Sequence, residues 1–230
     1  MASMKVQSIL RLTEQLAFDS QVETGTAQDI AEVLEIGAGT GAILEELSTR
    51  RPKWNLTALD VAEASIAAIR RLGLHNLREG MIADASRLPF SDKQFDLAIL
   101  SHVIEHLPDP TTALREAKRV AHLVIIEVPV EGTPVLDAVW WIRKLRGRQR
   151  IPNELGHLWH RSVREWNRMI AGAGLTILAN FQYLLTREAL VFGKSGRSLR
   201  LARLRATGQV IFRTRVWGNL VYSHYAVLVT

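Results

Sequence analysis

Cysteine is absent from this chain of 230 residues. Its absence excludes disulfides, thiolate zinc sites, iron–sulfur clusters and cysteine nucleophiles, including the cysteine attack on a base that 5-methylcytosine chemistry needs. Long hydrophobic runs are missing too. No segment offers the roughly 20 uninterrupted apolar residues that a spanning helix requires. The opening MASMKVQSILRLTEQ is broken by charge and predicts no secretory signal. No Pro/Gly/Ser-rich linker divides the sequence, so a single domain is expected over residues 1–230, with a cytoplasmic location. Acid is scarce in two stretches. Arg143, Lys144, Arg146, Arg148 and Arg150 form one basic cluster; Lys194, Arg197, Arg200, Arg203, Arg205, Arg213 and Arg215 form another. They underlie a net charge of +6 and a pI near 10.0. Such clusters are either a solvated surface or a site for an anionic partner: nucleic acid, an acidic lipid surface or a phosphorylated substrate. What is present in quantity is apolar: 47% hydrophobic residues, enough for a packed core.

The apolar residues come in a regular order. Residues 3–18 have helical spacing through Ile9, Leu10, Leu12, Leu16 and Ala17. Short buried strands are expected at 33–36, 55–60, 77–83, 95–100 and 122–128. Helices are expected at 42–47, 62–72 and 111–120 between them. Strands alternating with helices imply βαβ units, a mostly parallel sheet and helices on both faces. The fold expected is therefore α/β, a doubly wound Rossmann-like sheet. After residue 130 the alternation weakens. Helices are expected at 135–145 and 163–173, the second ended by Gly174, and strands at 175–184 and 220–229. The last strand is expected to be antiparallel, at the C-terminal edge of the sheet. Residues 129–219 would then hold an acceptor lid and a basic insertion, beside a cofactor half at about 30–128.

Ligands of doubly wound sheets sit beyond the C-terminal strand ends, so residues just after each strand carry the chemistry. The first strand runs into Glu35-Ile36-Gly37-Ala38-Gly39-Thr40-Gly41. Glycines at this spacing let a ligand approach the backbone, and the following helix presents free N–H groups. The spacing is G-x-G-x-G rather than the G-x-G-x-x-G of dinucleotide sites, and Glu35 would repel a pyrophosphate. An acid there suits an amino group. Asp60 ends the second strand and could accept from two ribose hydroxyls or cap the next helix. Asp84-Ala85 ends the third; Asp84 could accept from an adenine amino group or cap the turn at Ser86.

These residues together carry a family resemblance. VLEIGAGTG, LTALD and ADASRLPFSDKQFDLAILSHVIEHLPDP resemble the class I S-adenosylmethionine-dependent methyltransferases, in particular the small-molecule group with the quinone-biosynthesis enzymes. The later GHLWHRSVREWNRMIAGAGL is similar to the same group. The resemblance implies S-adenosylmethionine as cofactor and a small-molecule acceptor, methylated on oxygen or carbon. It implies that Gly37, Ala38, Gly39 and Gly41 line the methionine part of the cofactor with Glu35 behind them. Asp60 would hold the ribose and Val61 would pack on adenine. Asp84 and Ala85 would read the adenine edge, and Ser101 would border the methionine amino end.

A hydroxyl or carbon acceptor benefits from a general base, and histidine suits that task near neutral pH. His102 and His106 lie four apart on an expected helical turn and would share a face; His106 is the preferred base. Glu105 would then point about 100° away from His106, so no metal site is expected. His157, His160 and Trp141 are expected on the acceptor side. The basic run 194–215, interleaved with leucines, would suit a membrane surface or a lipid-linked substrate at the inner membrane face. Two alternatives remain open: an RNA methyltransferase, which the pI favours but the missing Asn/Asp-Pro-Pro-Tyr/Phe motif does not, and a cofactor-binding protein without transfer activity.

Overall fold

A computed structural model describes residues 2–18, 30–130, 145, 156–159, 161–183 and 223–230. The expected helix at 135–145 (Leu145 apart), Trp141, His160 and both basic clusters lie outside the described residues. The elements are α1 (Ala2–Phe18), β1 (Glu32–Ile36), α2 (Ala42–Arg50), β2 (Asn55–Asp60), α3 (Glu63–Arg71), β3 (Leu77–Ile82), β4 (Phe95–Ser101), α4 (Pro110–Val120), β5 (Ala121–Val130), α5 (Val163–Gly172), β6 (Ile177–Tyr183) and β7 (Ser223–Val229).

The strands form one seven-stranded sheet in the order β3-β2-β1-β4-β5-β7-β6. Pairings from β3 through β5 are parallel. β7 is antiparallel to both of its neighbours. The antiparallel strand expected at the edge thus runs one position in, with β6 outside it. Its apolar run is the reason: Tyr225 to Val229 is buried throughout, as a strand flanked on both sides requires.

Side chains alternate across each strand, and the alternation sorts the core into two layers. Val33, Leu97, Ile99, Leu123, Ile125, Ala226 and Leu228 pack with α1, α2 and α3. Leu34, Leu100, Val124, Ile126 and Val227 pack with α4 and α5. The same alternation places Glu35, Ser101, Glu127, Tyr183 and His224 on the α1 face, at one end of the sheet. Helix starts follow local chemistry. Asp109 accepts from the Thr111 and Thr112 N–H groups ahead of α4, with Pro110 in its first turn. Ser162 and Glu165 form a capping box at α5, which fixes the approach of residues 156–159.

Candidate functional site

The strand order reverses between β1 and β4, since β1 leads outward to β2 on one side and pairs with β4 on the other. A crevice forms at such a reversal. The turn after β1 is stitched to the end of β2: Gly37 and Ala38 N–H both donate to the Leu59 carbonyl, at 2.7 and 3.0 Å. Gly37 has φ +72°, and a Cβ there would lie 2.5 Å from Val103 Cγ2 of the loop after β4. The two loops therefore meet at a distance only glycine permits. Gly39 has φ +55°, yet a Cβ there would meet nothing within 4 Å. Open space lies over the middle of the turn.

Asp60 is buried at the end of β2. Its Oδ2 accepts from Gly39 N–H at 2.8 Å and its Oδ1 from Ala62 N–H at 2.9 Å. It braces the glycine turn rather than capping α3, whose N-cap is Ala62 with no side-chain bond. Val61 is 75% exposed and Ile82 51%, apolar surface at the ends of β2 and β3 of the kind a flat ring covers. Asp84 is exposed and accepts from Ser86 N–H at 2.7 Å, which holds its carboxyl below the usual range. The Ala85 side chain is buried in the core, so only its main chain can meet a ligand.

Glu35 is 2% exposed and its Oε2 has no hydrogen-bond partner among the described residues. Burial pushes its pKa up to about 8, opposed by Lys5 of α1 and reinforced by Asp60 and Glu127. An unpartnered buried acid beside an open glycine turn fits a ligand bearing an amino group, which would restore the carboxylate. Ser101 does not offer its hydroxyl to the crevice; it donates to Glu127 Oε2 at 2.7 Å.

Glu127 itself was not singled out from the sequence. It is fully buried and accepts from Ser101, from Tyr183 at 2.6 Å and from Ser8 of α1. Burial, then Glu127, raises the Tyr183 phenol. Burial holds Lys5 below the usual lysine range, against the pull of Glu127, Glu105 and Glu35. The signal was in the sequence: Glu127 is the one carboxylate in the apolar run Ala121–Val130.

The histidines need a correction. His102 and His106 do not share a helical face. His102 adopts φ +58°, and only Ile104–His106 form a short 3-10 turn, which Leu107 ends in extended conformation before Pro108. His102 is half-buried, and desolvation first and then Lys5 push it down to about 3. Such an imidazole stays unprotonated near neutral pH. Its Nδ1 lies 2.9 Å from Glu105 Oε1. Burial raises Glu105 to about 7, so this is a contact between neutral groups in mildly acidic solution, not an ion pair. His106 is exposed, and its ring meets that of His157 edge-on at 5.0 Å. The Gly156 carbonyl can only accept, so His106 Nδ1 is the donor in their 3.3 Å contact and the other ring nitrogen keeps its lone pair. Leu158 N–H donates to the Glu105 carbonyl at 2.8 Å and Trp159 Nε1 to the Leu107 carbonyl at 2.8 Å. Two segments 50 residues apart are thereby locked together.

Residues 34–122 match the family described as a methyltransferase domain. This segment is thus similar to a methyltransferase domain. The methyltransferase segment is 36% identical over 91 residues to the malonyl-acyl-carrier-protein O-methyltransferase of Geobacter sulfurreducens, covering 39% of this chain and 34% of that protein. It is 32% identical over 94 residues to a ubiquinone biosynthesis O-methyltransferase of Pseudomonas aeruginosa, covering 38% of each. The match thus spans well under half the length of these relatives. The fold reaches further: the crystal structure of the cyclase SpnF superposes with TM-score 0.60 over 95% of this chain and 79% of that one, at 19% identity. One sheet of this kind serves more than one chemistry, so function has to be argued from the site.

Proposed function

We propose that this protein transfers a methyl group from S-adenosylmethionine to an oxygen of a small-molecule acceptor. The observation that carries the reading is the β1 turn: open at Gly39, braced by Asp60 and backed by the buried Glu35, whose Oε2 has no partner among the described residues. Both relatives above are named as O-methyltransferases, which supports oxygen as the acceptor atom. A lipid- or carrier-linked acceptor would suit the basic C-terminal stretch.

Bound in this crevice, the cofactor supplies an electrophilic methyl group on a sulfonium. Gly37, Ala38 and Gly39 hold its amino-acid end, and Glu35 receives the amino group. Asp60 holds the ribose, Val61 covers the adenine, and the stretch at Asp84-Ala85 meets the adenine edge. The chain's task is then alignment and proton removal. His106 is the base, through the ring nitrogen not bonded to Gly156; His102, half-buried and hard to protonate, is not. His157 lines the acceptor side.

Two variants test this. Gly39→Val strains a positive φ by about 1–2 kcal/mol, but its Cβ meets nothing within 4 Å, so the variant is expected to fold while filling the open space. Isothermal titration with S-adenosylhomocysteine should show affinity reduced at least about tenfold, as a loss of roughly 1.4 kcal/mol implies. Unchanged affinity in the folded variant would sink the assignment. For catalysis, labelled cofactor and an acceptor screen with mass analysis identify the product. His106→Ala should then lower kcat by about 10²-fold with S-adenosylhomocysteine affinity intact, in chelator-treated protein. A kcat within about twofold of the parent rules His106 out as base.

A further inference from the structure

Glu105 is fully buried, and among the described residues neither of its carboxylate oxygens has an aligned hydrogen-bond partner. Burying a carboxyl without partners is unfavourable unless something polar joins it. What surrounds it is imidazole. One carboxylate oxygen of Glu105 and one ring nitrogen each of His106 and His157 all lie within 4.8 Å of one another. Glu105 and His106 belong to the 3-10 turn Ile104–His106 rather than to the helix expected there, and their donor atoms converge with that of His157 although the two residues are adjacent in the chain.

We propose that Glu105, His106 and His157 form a site for a divalent transition-metal cation of the zinc class. Two imidazoles and a carboxylate are the donors that class prefers, and three protein donors leave a position for water or an acceptor oxygen. Donors bound at about 2.1 Å stand roughly 3.4 Å apart, so closure from the present spacing needs about 1 Å of movement. His106 is exposed and has room to supply it. The outer groups are in place. His106 Nδ1 donates to the Gly156 carbonyl, the arrangement that orients a metal-bound imidazole. His102 Nδ1, 2.9 Å from Glu105 Oε1, can steady the carboxylate from behind. The Leu158-to-Glu105 main-chain bond sets the two ligand segments in register. The lone pair that His106 offers a cation is the one it offers a proton. A loaded site would lower the pKa of a coordinated acceptor hydroxyl so that its proton is lost to water, and His106 acts as base only without the cation.

The test uses the full chain stripped by chelator, then dialysed against Zn²⁺ or Co²⁺. Elemental analysis should find about one equivalent of metal per chain, and Co²⁺ should give a visible ligand-field band of a low-coordinate site. Glu105→Gln and His157→Asn should each weaken uptake at least about tenfold, as should His106→Ala at an exposed position. The control His75→Asn, outside the cluster, should leave uptake unchanged. Titration with S-adenosylhomocysteine reports folding and the nucleoside site separately. Nucleoside binding without stoichiometric metal, or metal uptake indifferent to all three substitutions, overturns the site and leaves the methyl-transfer reading standing. Metal uptake without nucleoside binding does the reverse.

Discussion

Replacing Glu127 by alanine should destabilise the protein by about 3–4 kcal/mol, because it removes one partner from a buried polar network and leaves the others stranded. Glu127 accepts from three elements at once: Ser8 on α1, Ser101 on β4 and Tyr183 on β6. Ser8 has a second acceptor in the Lys5 carbonyl at 2.7 Å, so its hydroxyl survives the loss. Among the described residues no second acceptor stands by the Ser101 and Tyr183 hydroxyls, so the buried Ser101 and the half-buried Tyr183 each lose their partner. Removing a buried polar group also removes its own desolvation cost, which keeps the net below the sum of the parts. The gradation is the test. Glu127→Gln keeps an acceptor oxygen and the volume, and should lose only about 1–2 kcal/mol. Glu127→Leu combined with Ser101→Ala and Tyr183→Phe removes acceptor and donors together and should recover much of the alanine loss. Urea midpoints measure all three. An alanine variant within about 1 kcal/mol of the parent would mean that the network contributes nothing.

The network also marks where sequence reasoning stopped. β1 and β2 were legible because strands buried on both faces read as apolar runs, Val33-Leu34 and Leu56 to Leu59. The glycine turn and Asp60 were legible because their spacing is local. The turn at Ile104–His106 was misjudged, although Pro108 carried the signal: the residue before proline is pushed toward extended backbone, and Leu107 is found there. Ser8 looked like any polar residue of an amphipathic helix, yet it lies 4% exposed among Val6, Ile9 and Leu12. Only tertiary packing decides which polar residue of a helix faces inward. The meeting of Glu105 with His157 is likewise a product of the fold, since the two stand 52 positions apart.

Between about pH 5 and pH 8 the parent protein should lose roughly 3–5 kcal/mol of stability relative to Glu35→Gln. The origin is Glu35, pushed by burial from 4.5 up to about 8 in the folded chain. Below about pH 4.5 the side chain is protonated whether folded or not, and it contributes no pH dependence. Above that, the unfolded chain releases its proton while the folded chain keeps it until about pH 8. The unfolded state binds fewer protons across this window, so stability falls as pH rises, by about 1.4 kcal/mol per pH unit. Past pH 8 both states are ionised and the difference levels off. At 2% exposure, solvent does little to soften this. The neutral glutamine carries no such dependence, and comparing the two variants cancels the contributions of Glu105 and of the histidines His102 and His224, while Lys5, whose charged form Glu35 itself favours, stays part of the measured difference. Those histidines act at the other end: His102 and His224, both held near 3, lose stability as pH falls below the usual histidine range, where the unfolded chain takes up protons first. Urea midpoints at about pH 5, 6.5 and 8 on parent and variant give the slope directly. Parallel curves would mean that Glu35 ionises freely in the folded protein, and the acid behind the glycine turn would then already have a partner.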